Sequence, residues 1–228
     1  MKVDRQKVVL AALALLDDVG LEQLTLRRLA TELKIQAPTL YWHFKSKEEL
    51  IDEMATTLLT IDPASLMPTR KSSPWRIWAA TFGHGLRKIL LSYRDGARMV
   101  AGTRLTNALF IEITETIGAH LREEGFTIRE TVVLLSTVYS YTISFTTEEQ
   151  AVYPKPGERE PKYDLKKRQA LFDPKKFPIH SQSGPILFDH FDRRFKEGLD
   201  LILRGADTHA HDTPSAKPTK RSRSPDRR

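Results

Sequence analysis

Cysteine is absent from all 228 residues, which removes disulfides, thiol nucleophiles and thiolate metal sites together. Nothing else in the composition asks for an oxidising compartment, so the cytoplasm is the expected location. Long apolar runs are missing too. The stretch VVLAALALL is flanked by Lys2, Asp4, Arg5, Lys7, Asp17 and Asp18, and no run reaches the roughly eighteen residues that a bilayer span requires. Neither a signal peptide nor a membrane partner is expected. Catalytic signatures are equally scarce: His-Glu-x-x-His and Gly-x-Ser-x-Gly do not occur, and no glycine-rich loop follows a strand-like segment. His84, His120, His180 and His190 stand apart, and each reads as a surface or satisfied core histidine. The expectation is a protein that is not an enzyme and has no cofactor, catalytic residue or metal site.

What is present is a hydrophobic fraction of 40%, ample for a core, and a formal net charge of +7, which favours a polyanionic partner. The spacing of apolar residues is helical throughout, so the fold class is all-α. Val8, Ala12, Leu15 and Val19 mark a helix over 5–19, with Asp4 as cap and Gly20 as stop. Thr25 caps a short helix that buries Leu26, Leu29, Ala30 and Leu33. Pro38 fits the first turn of a third helix, about 38–44. Ser46 and Glu49 form a capping box ahead of a fourth, carried by Leu50, Met54 and Leu58.

Residues 61–74, IDPASLMPTRKSSP, form a proline- and serine-rich connection, so a first domain occupies 1–60 and a larger helical one 61–206. Helices are predicted in the second at 75–92, 95–101, 105–124, 127–149 and 185–204, the last stacking Phe188, Phe191 or Phe195, Leu199 and Ile202. Five prolines among many charges make 150–184 a long mobile loop with one helical turn near 164–172. From 207 to 228 six Lys or Arg stand against three Asp with few apolar residues, which predicts a disordered basic tail.

The stretch QAPTLYWHFKSKEEL, 36–50, crowds rings and cations together. A short helix, a tight turn and a second short helix opening on small polar residues is the arrangement that lays a recognition helix in the DNA major groove. The span 27–47 holds Arg27, Arg28, Lys34, Lys45 and Lys47 against the single acid Glu32. In the third helix Leu40 and Phe44 point inward, which leaves Thr39, Tyr41, Trp42 and His43 for the outer surface, where they can meet phosphates and base edges. The plain alternative is that Tyr41 and Trp42 are core residues of a small bundle and the cations a solvated face. Pro38, the flanking short helix and the capping box together favour DNA.

The pattern Thr25-x-Arg27-x-Leu29-Ala30 followed by Thr39-Leu40-Tyr41-x-His43-Phe44-x-Ser46-Lys47 resembles the N-terminal helix-turn-helix domain of TetR-family transcriptional repressors. ILLSYRDGARMVAGTR and FKEGLDLILRG resemble the tetracycline-repressor branch, so the likeness covers about 4–150 and 185–205. It implies DNA contacts from Arg27, Pro38, Thr39, Tyr41, His43 and Lys47, with Arg27 and Thr39 reaching bases. Lys34 stands at a turn position that is often glycine, and Ala37 replaces a polar base reader, which implies a changed operator preference.

The resemblance further implies a homodimer on double-stranded operator DNA, built from the helices at 127–149 and 185–204, with Val133, Leu134, Phe188, Phe195, Leu199 and Ile202 as candidates for its apolar area. It places a small-molecule effector among Phe82, Leu86, Val100, Thr103, Arg104, Ile117, Val138, Tyr139, Thr142 and Glu148. In tetracycline repressors the drug arrives as a magnesium chelate held by a histidine at the place of Val100 and an asparagine at that of Phe82. Neither side chain here can serve, so a more hydrophobic effector is expected. The segment 95–104, with Gly96 and Gly102, is the implied relay. The alternative is an effector-independent architectural or activating DNA-binding protein that uses its basic tail as a clamp.

Overall fold

The structure, a computed structural model, describes residues 4–103 and 108–212, with side chains up to 207. Eleven α-helices and two short 3-10 turns account for its elements, with no β-strand among the described residues. Helices α1 (Arg5–Val19), α2 (Leu26–Glu32), α3 (Ala37–His43) and α4 (Lys47–Leu59) form the N-terminal head. The predicted cap residues are in place, although Glu49 returns its bond to Lys45 N rather than to Ser46 N, so the predicted capping box is only half formed. The Asp4 carboxylate accepts from Lys7 N, the Thr25 hydroxyl from Arg28 N and the Ser46 hydroxyl from Glu49 N. Val8, Leu13, Leu16, Leu29, Leu40, Phe44, Leu50 and Met54 close the core of the head.

The turn between α2 and α3 satisfies the end of α2 with two backbone bonds. Ile35 N donates to Ala30 O at 3.0 Å and Lys34 N to Thr31 O at 3.1 Å, the paired pattern that needs a left-handed residue between them. That residue is Lys34, with φ 53°. A side chain there costs about 1–2 kcal/mol, partly offset by the lower chain entropy of a non-glycine residue when unfolded. Lys34→Gly is therefore expected to raise stability by about 0.5 kcal/mol. A urea midpoint that falls instead would mean that the lysine stem contributes packing.

The connection at 61–74 holds a short helical turn packed into the core. Pro63–Leu66 forms a 3-10 turn, and Leu66 is fully buried in the common core. Helices α5 (Trp75–Leu90), α6 (Gly96–Val100), α7 (Ala108–Glu123) and α8 (Ile128–Val152) follow, α8 opening with a Thr127–Glu130 capping box. The chain then differs from expectation. Residues 150–184 hold the end of α8, a 3-10 turn at Pro161–Tyr163, α9 (Leu165–Gln169) and the first half of α10 (Pro178–Phe188). The segment is fastened by Arg159, whose guanidinium donates to Asp189, to Tyr153 Oη at 2.5 Å and to Phe188 O at 2.8 Å.

The helix predicted over 185–204 is broken. Helix α10 ends at Phe188, His190 takes φ 51°, and α11 runs Phe191–Asp212. Helix α11 thus continues beyond 206, where the tail was predicted to begin. Arg76 ion-pairs with Asp207 and donates to Leu203 O at 3.3 Å. Residues 213–228 of the predicted tail lie outside the described residues. Helices α5, α8 and α11 pack around one another, closely enough that a Cβ on Gly198 would strike the Tyr141 hydroxyl, which itself donates to Phe195 O at 3.0 Å.

The head meets this core where α4 packs on α5 and α6, with Leu58 against Gly96, and along a polar seam beside that contact. Leu21 N donates to Asp95 Oδ2 at 2.9 Å, Arg94 N to Asp17 Oδ1 at 2.9 Å, and Arg98 pairs with Glu22 at 3.2 Å. On the core side Gln150, nearly buried, accepts from Ala97 N at 3.0 Å and donates to Leu90 O and Tyr93 O at 3.1 and 2.8 Å. The short helix α6 is therefore tied to the head at one end and to α8 through one side chain.

Candidate functional site

Helix α3 sorts its residues as an amphipathic turn must. Leu40 and, just past the helix, Phe44 are fully buried, while Pro38 and Thr39 are exposed. Tyr41 is 54% exposed and Trp42 89% exposed, so the reading of these two rings as core residues is excluded. Arg27 and Arg28 are exposed on α2, with Arg28 turned toward Gln23 Oε1 at 2.9 Å. His43 and Lys47 are half-buried. Lys47 Nζ donates to Leu21 O at 3.1 Å, which uses one of its three protons and leaves two for another acceptor.

The pose of α3 depends on Arg5, a residue that sequence reasoning missed. Its Nε donates to Glu53 at 2.6 Å, a terminal nitrogen to Glu49 at 3.0 Å, and another to the His43 carbonyl. The guanidinium lies 4.2 Å from the centre of the Phe44 ring. One side chain on α1 thus holds the end of α3 against α4. Its partners lie 38 to 48 positions away, so no local pattern could announce it.

Glu49 also accepts from Lys45 N, and that bond, followed by Arg5, holds its carboxyl below the ordinary value of 4.5. A depressed folded value means that its stabilisation is present above pH 4.5 and lost as pH falls through the folded value. Thermal melts between pH 7 and 3 should show Glu49→Gln less stable than wild type near neutrality and flatter in acid. Parallel profiles would remove Glu49 from the acid response.

Most of the predicted effector residues lie on α5, α6, α7 and α8, of which α5 and α8 pack on each other and on both of the others. Phe82 and Leu86 on α5, Val100 on α6, Ile117 on α7, and Val138 and Thr142 on α8 are all buried. Tyr139 is half-buried, and burial pushes its phenol above the ordinary value of 10. The Thr103 hydroxyl donates to Val100 O at 2.7 Å. Glu148 points outward toward Arg194 at 3.6 Å, and Arg104 lies outside the described residues. The buried members belong to one hydrophobic cluster, and none of the five described cavities is lined by any of the predicted effector residues. Val100 and Phe82 carry no metal-ligating atom.

A cavity of about 490 Å³ lies between the start of α8 and the end of α11, lined by Phe126, Val133, Leu134, Thr137, Ile202 and Ala206 among others. Ile128, Val132, Val133 and Leu201 are exposed nearby. Of the candidates for a dimer face, Phe195, Leu199 and Leu134 are buried within the monomer, whereas Val133 faces outward and Ile202 and Phe188 are partly buried.

Comparison with known proteins agrees with this geometry. Residues 8–54 match the model of bacterial regulatory proteins of the tetR family, and residues 67–209 match the tetracyclin repressor-like C-terminal domain. The class G tetracycline repressor of Vibrio anguillarum is 36% identical over 204 residues, covering 90% of this chain and 93% of the relative. A possible TetR-family regulator from Streptomyces coelicolor superposes with TM-score 0.80 at 32% identity, over 90% of this chain and all of that one. A substituted form of TetR from Acinetobacter baumannii, solved in complex with minocycline, superposes with TM-score 0.71 at 30% identity over 92% and 100%. Among the described residues no helix is long and apolar enough to cross a membrane.

Proposed function

The chain belongs to the TetR family of bacterial regulatory proteins, and from that premise we propose that it is a ligand-responsive repressor that binds a palindromic operator as a homodimer and is released by a small, largely hydrophobic effector. The observation that carries the reading is the outer face of α3. Buried Leu40 and Phe44 fix the helix, Pro38 starts it, and Thr39, Tyr41 and Trp42 have no role inside the protein. Arg27 and Thr39 reach base edges, and Tyr41, His43 and Lys47 hold phosphates, with Trp42 beside them.

One short helix reads too few bases for useful specificity, so two copies read half-sites about 34–36 Å apart. The apolar groove between α8 and α11, with Val133 and Leu201 at its side, supplies the surface for pairing. The effector enters the apolar layer of Phe82, Leu86, Val100, Ile117, Val138 and Thr142 and prefers the dimer whose reading heads are wrongly spaced. The seam through α6 transmits that preference, because Asp95 and Arg98 hold the head while Gln150 holds α8.

The test is an anisotropy titration against DNA just upstream of the protein's own gene, with and without a panel of hydrophobic antibiotics and with tetracycline plus Mg²⁺. Tight, palindrome-dependent binding released by an apolar compound and indifferent to the magnesium chelate is expected. Weak binding, equal on all sequences and steeply salt-dependent, would replace this reading with the architectural one.

A further inference from the structure

At one end of the second domain, three buried polar atoms have no hydrogen-bond partner among the described residues: Trp78 Nε1, His120 Nε2 and Thr131 Oγ1. Trp78 is 4% exposed and Thr131 7%. Protein interiors leave few such groups unpaired, because each gives up its bonds to water without replacement. The Nε2 of His120 approaches Glu124 only to 3.7 Å.

The three are related by the helices that carry them. Trp78 stands one turn before Phe82 on α5, His120 one turn after Ile117 on α7, and Thr131 two turns before Val138 on α8. Each therefore prolongs, at one end, a stripe of the proposed effector layer. Two separate contacts tie them to α7. The rings of Trp78 and His120 stack with centroids 4.6 Å apart and planes 21° apart, which joins α5 to α7. A Cβ on Gly118, two residues before His120, would lie 3.4 Å from Thr131 Cγ2, which brings α8 against another side of α7.

We infer that this layer is the polar end of the effector site and takes an acceptor oxygen carried by an otherwise apolar ligand, the chemistry of an aromatic ketone. An indole N–H can only donate, so the ligand atom that meets it must accept. Threonine and histidine can then donate to the same oxygen or accept from a neighbouring hydroxyl. The assignment rests on the ligand-responsive reading above, and it adds residues that lie beyond the predicted effector set.

The probes are 9-fluorenone and fluorene, which share a skeleton and differ in a carbonyl against a methylene. The full chain carries three tryptophans, so indole N–H resonances of ¹⁵N-labelled protein are few, and Trp78→Phe assigns the one concerned. Fluorenone is expected to move the Trp78 resonance downfield and to bind about tenfold more tightly than fluorene, a difference that Trp78→Phe abolishes. Should that variant fail to fold, the resonance shift in the wild type and the affinities of His120→Leu carry the same information. Equal affinities with an unmoved resonance, or no binding of either probe, would overturn the assignment. Release of the operator by an apolar compound that leaves the Trp78 resonance in place would do so while the repressor reading stands. Absence of palindrome-dependent DNA binding would instead remove that reading, whatever the probes do.

Discussion

Tyr41→Ala should weaken operator binding by about thirtyfold or more while leaving the melting temperature within about 2 °C of wild type. The magnitude follows from symmetry. Removing one side-chain interaction from a protein–DNA interface costs about 1 kcal/mol at the low end, a dimer suffers this in both half-sites, and about 2 kcal/mol is roughly thirtyfold. The fold is indifferent because the Tyr41 ring stands on the outer side of α3 and takes part in none of the aromatic contacts of the core. Anisotropy with a palindromic and a scrambled duplex, beside a thermal melt, separates the two effects. Equal loss of stability and binding would mean that the ring supports the pose of α3. Unchanged binding would take the outer face of α3 away from DNA and with it the central support for the proposed function.

Glu149→Ala, which leaves Arg87 without its main partner, should cost about 3–5 kcal/mol. Arg87 is 8% exposed and Glu149 9%. Two parallel bonds join them, Nε to Oε2 at 2.8 Å and a terminal nitrogen to Oε1 at 2.6 Å, and the guanidinium lies 5.2 Å from the centre of the Phe195 ring. The remaining nitrogen donates to Asp192 at 2.7 Å, but that carboxylate is mostly in water and compensates little. One residue from α5, one from α8 and one from α11 thus meet at a single buried charge. For a chain of this length the expected loss corresponds to a fall of roughly 6–20 °C in melting temperature. The double variant Arg87→Met with Glu149→Leu should recover most of it, because removing both charges leaves no unpaired group. If the double variant is as unstable as the single one, shape rather than charge decides this junction.

Much of this architecture was legible because its causes are local. Asp4, Thr25 and Ser46 announce helix starts by chemistry that acts over three residues, and Leu40 and Phe44 fix the facing of α3 by their spacing. The left-handed backbone of Lys34 was signalled only by the family resemblance, in which that turn position is often glycine. The failures come from contacts made across distance. Nothing within 150–184 signals that Arg159 will reach Asp189 and Phe188, 30 and 29 positions on, so a proline-rich stretch reads as loose when it is tied down. The break at His190 is hidden because Phe188, Phe195, Leu199 and Ile202 keep a helical period through it. In the candidate site the outer face of α3 was visible from sequence alone. Arg5, which holds it in place, and Gln150, which ties α6 to α8, were not, since a lone polar residue on a helix looks solvated until its partners are known.

The seam between head and core has a consequence for how the protein senses its surroundings. Arg94 meets Asp17 through its backbone N–H, whereas Arg98 and Glu22 form an ion pair with Glu22 largely and Arg98 partly in solvent. Charges so placed are screened over about 8 Å at 0.15 M salt and about 3 Å at 1 M. Under the proposed function, rising ionic strength would therefore weaken the Arg98–Glu22 tie between head and core at the same time as it weakens contacts with phosphates. The slope of operator affinity against salt will overcount phosphates, because part of it measures the strength of that tie.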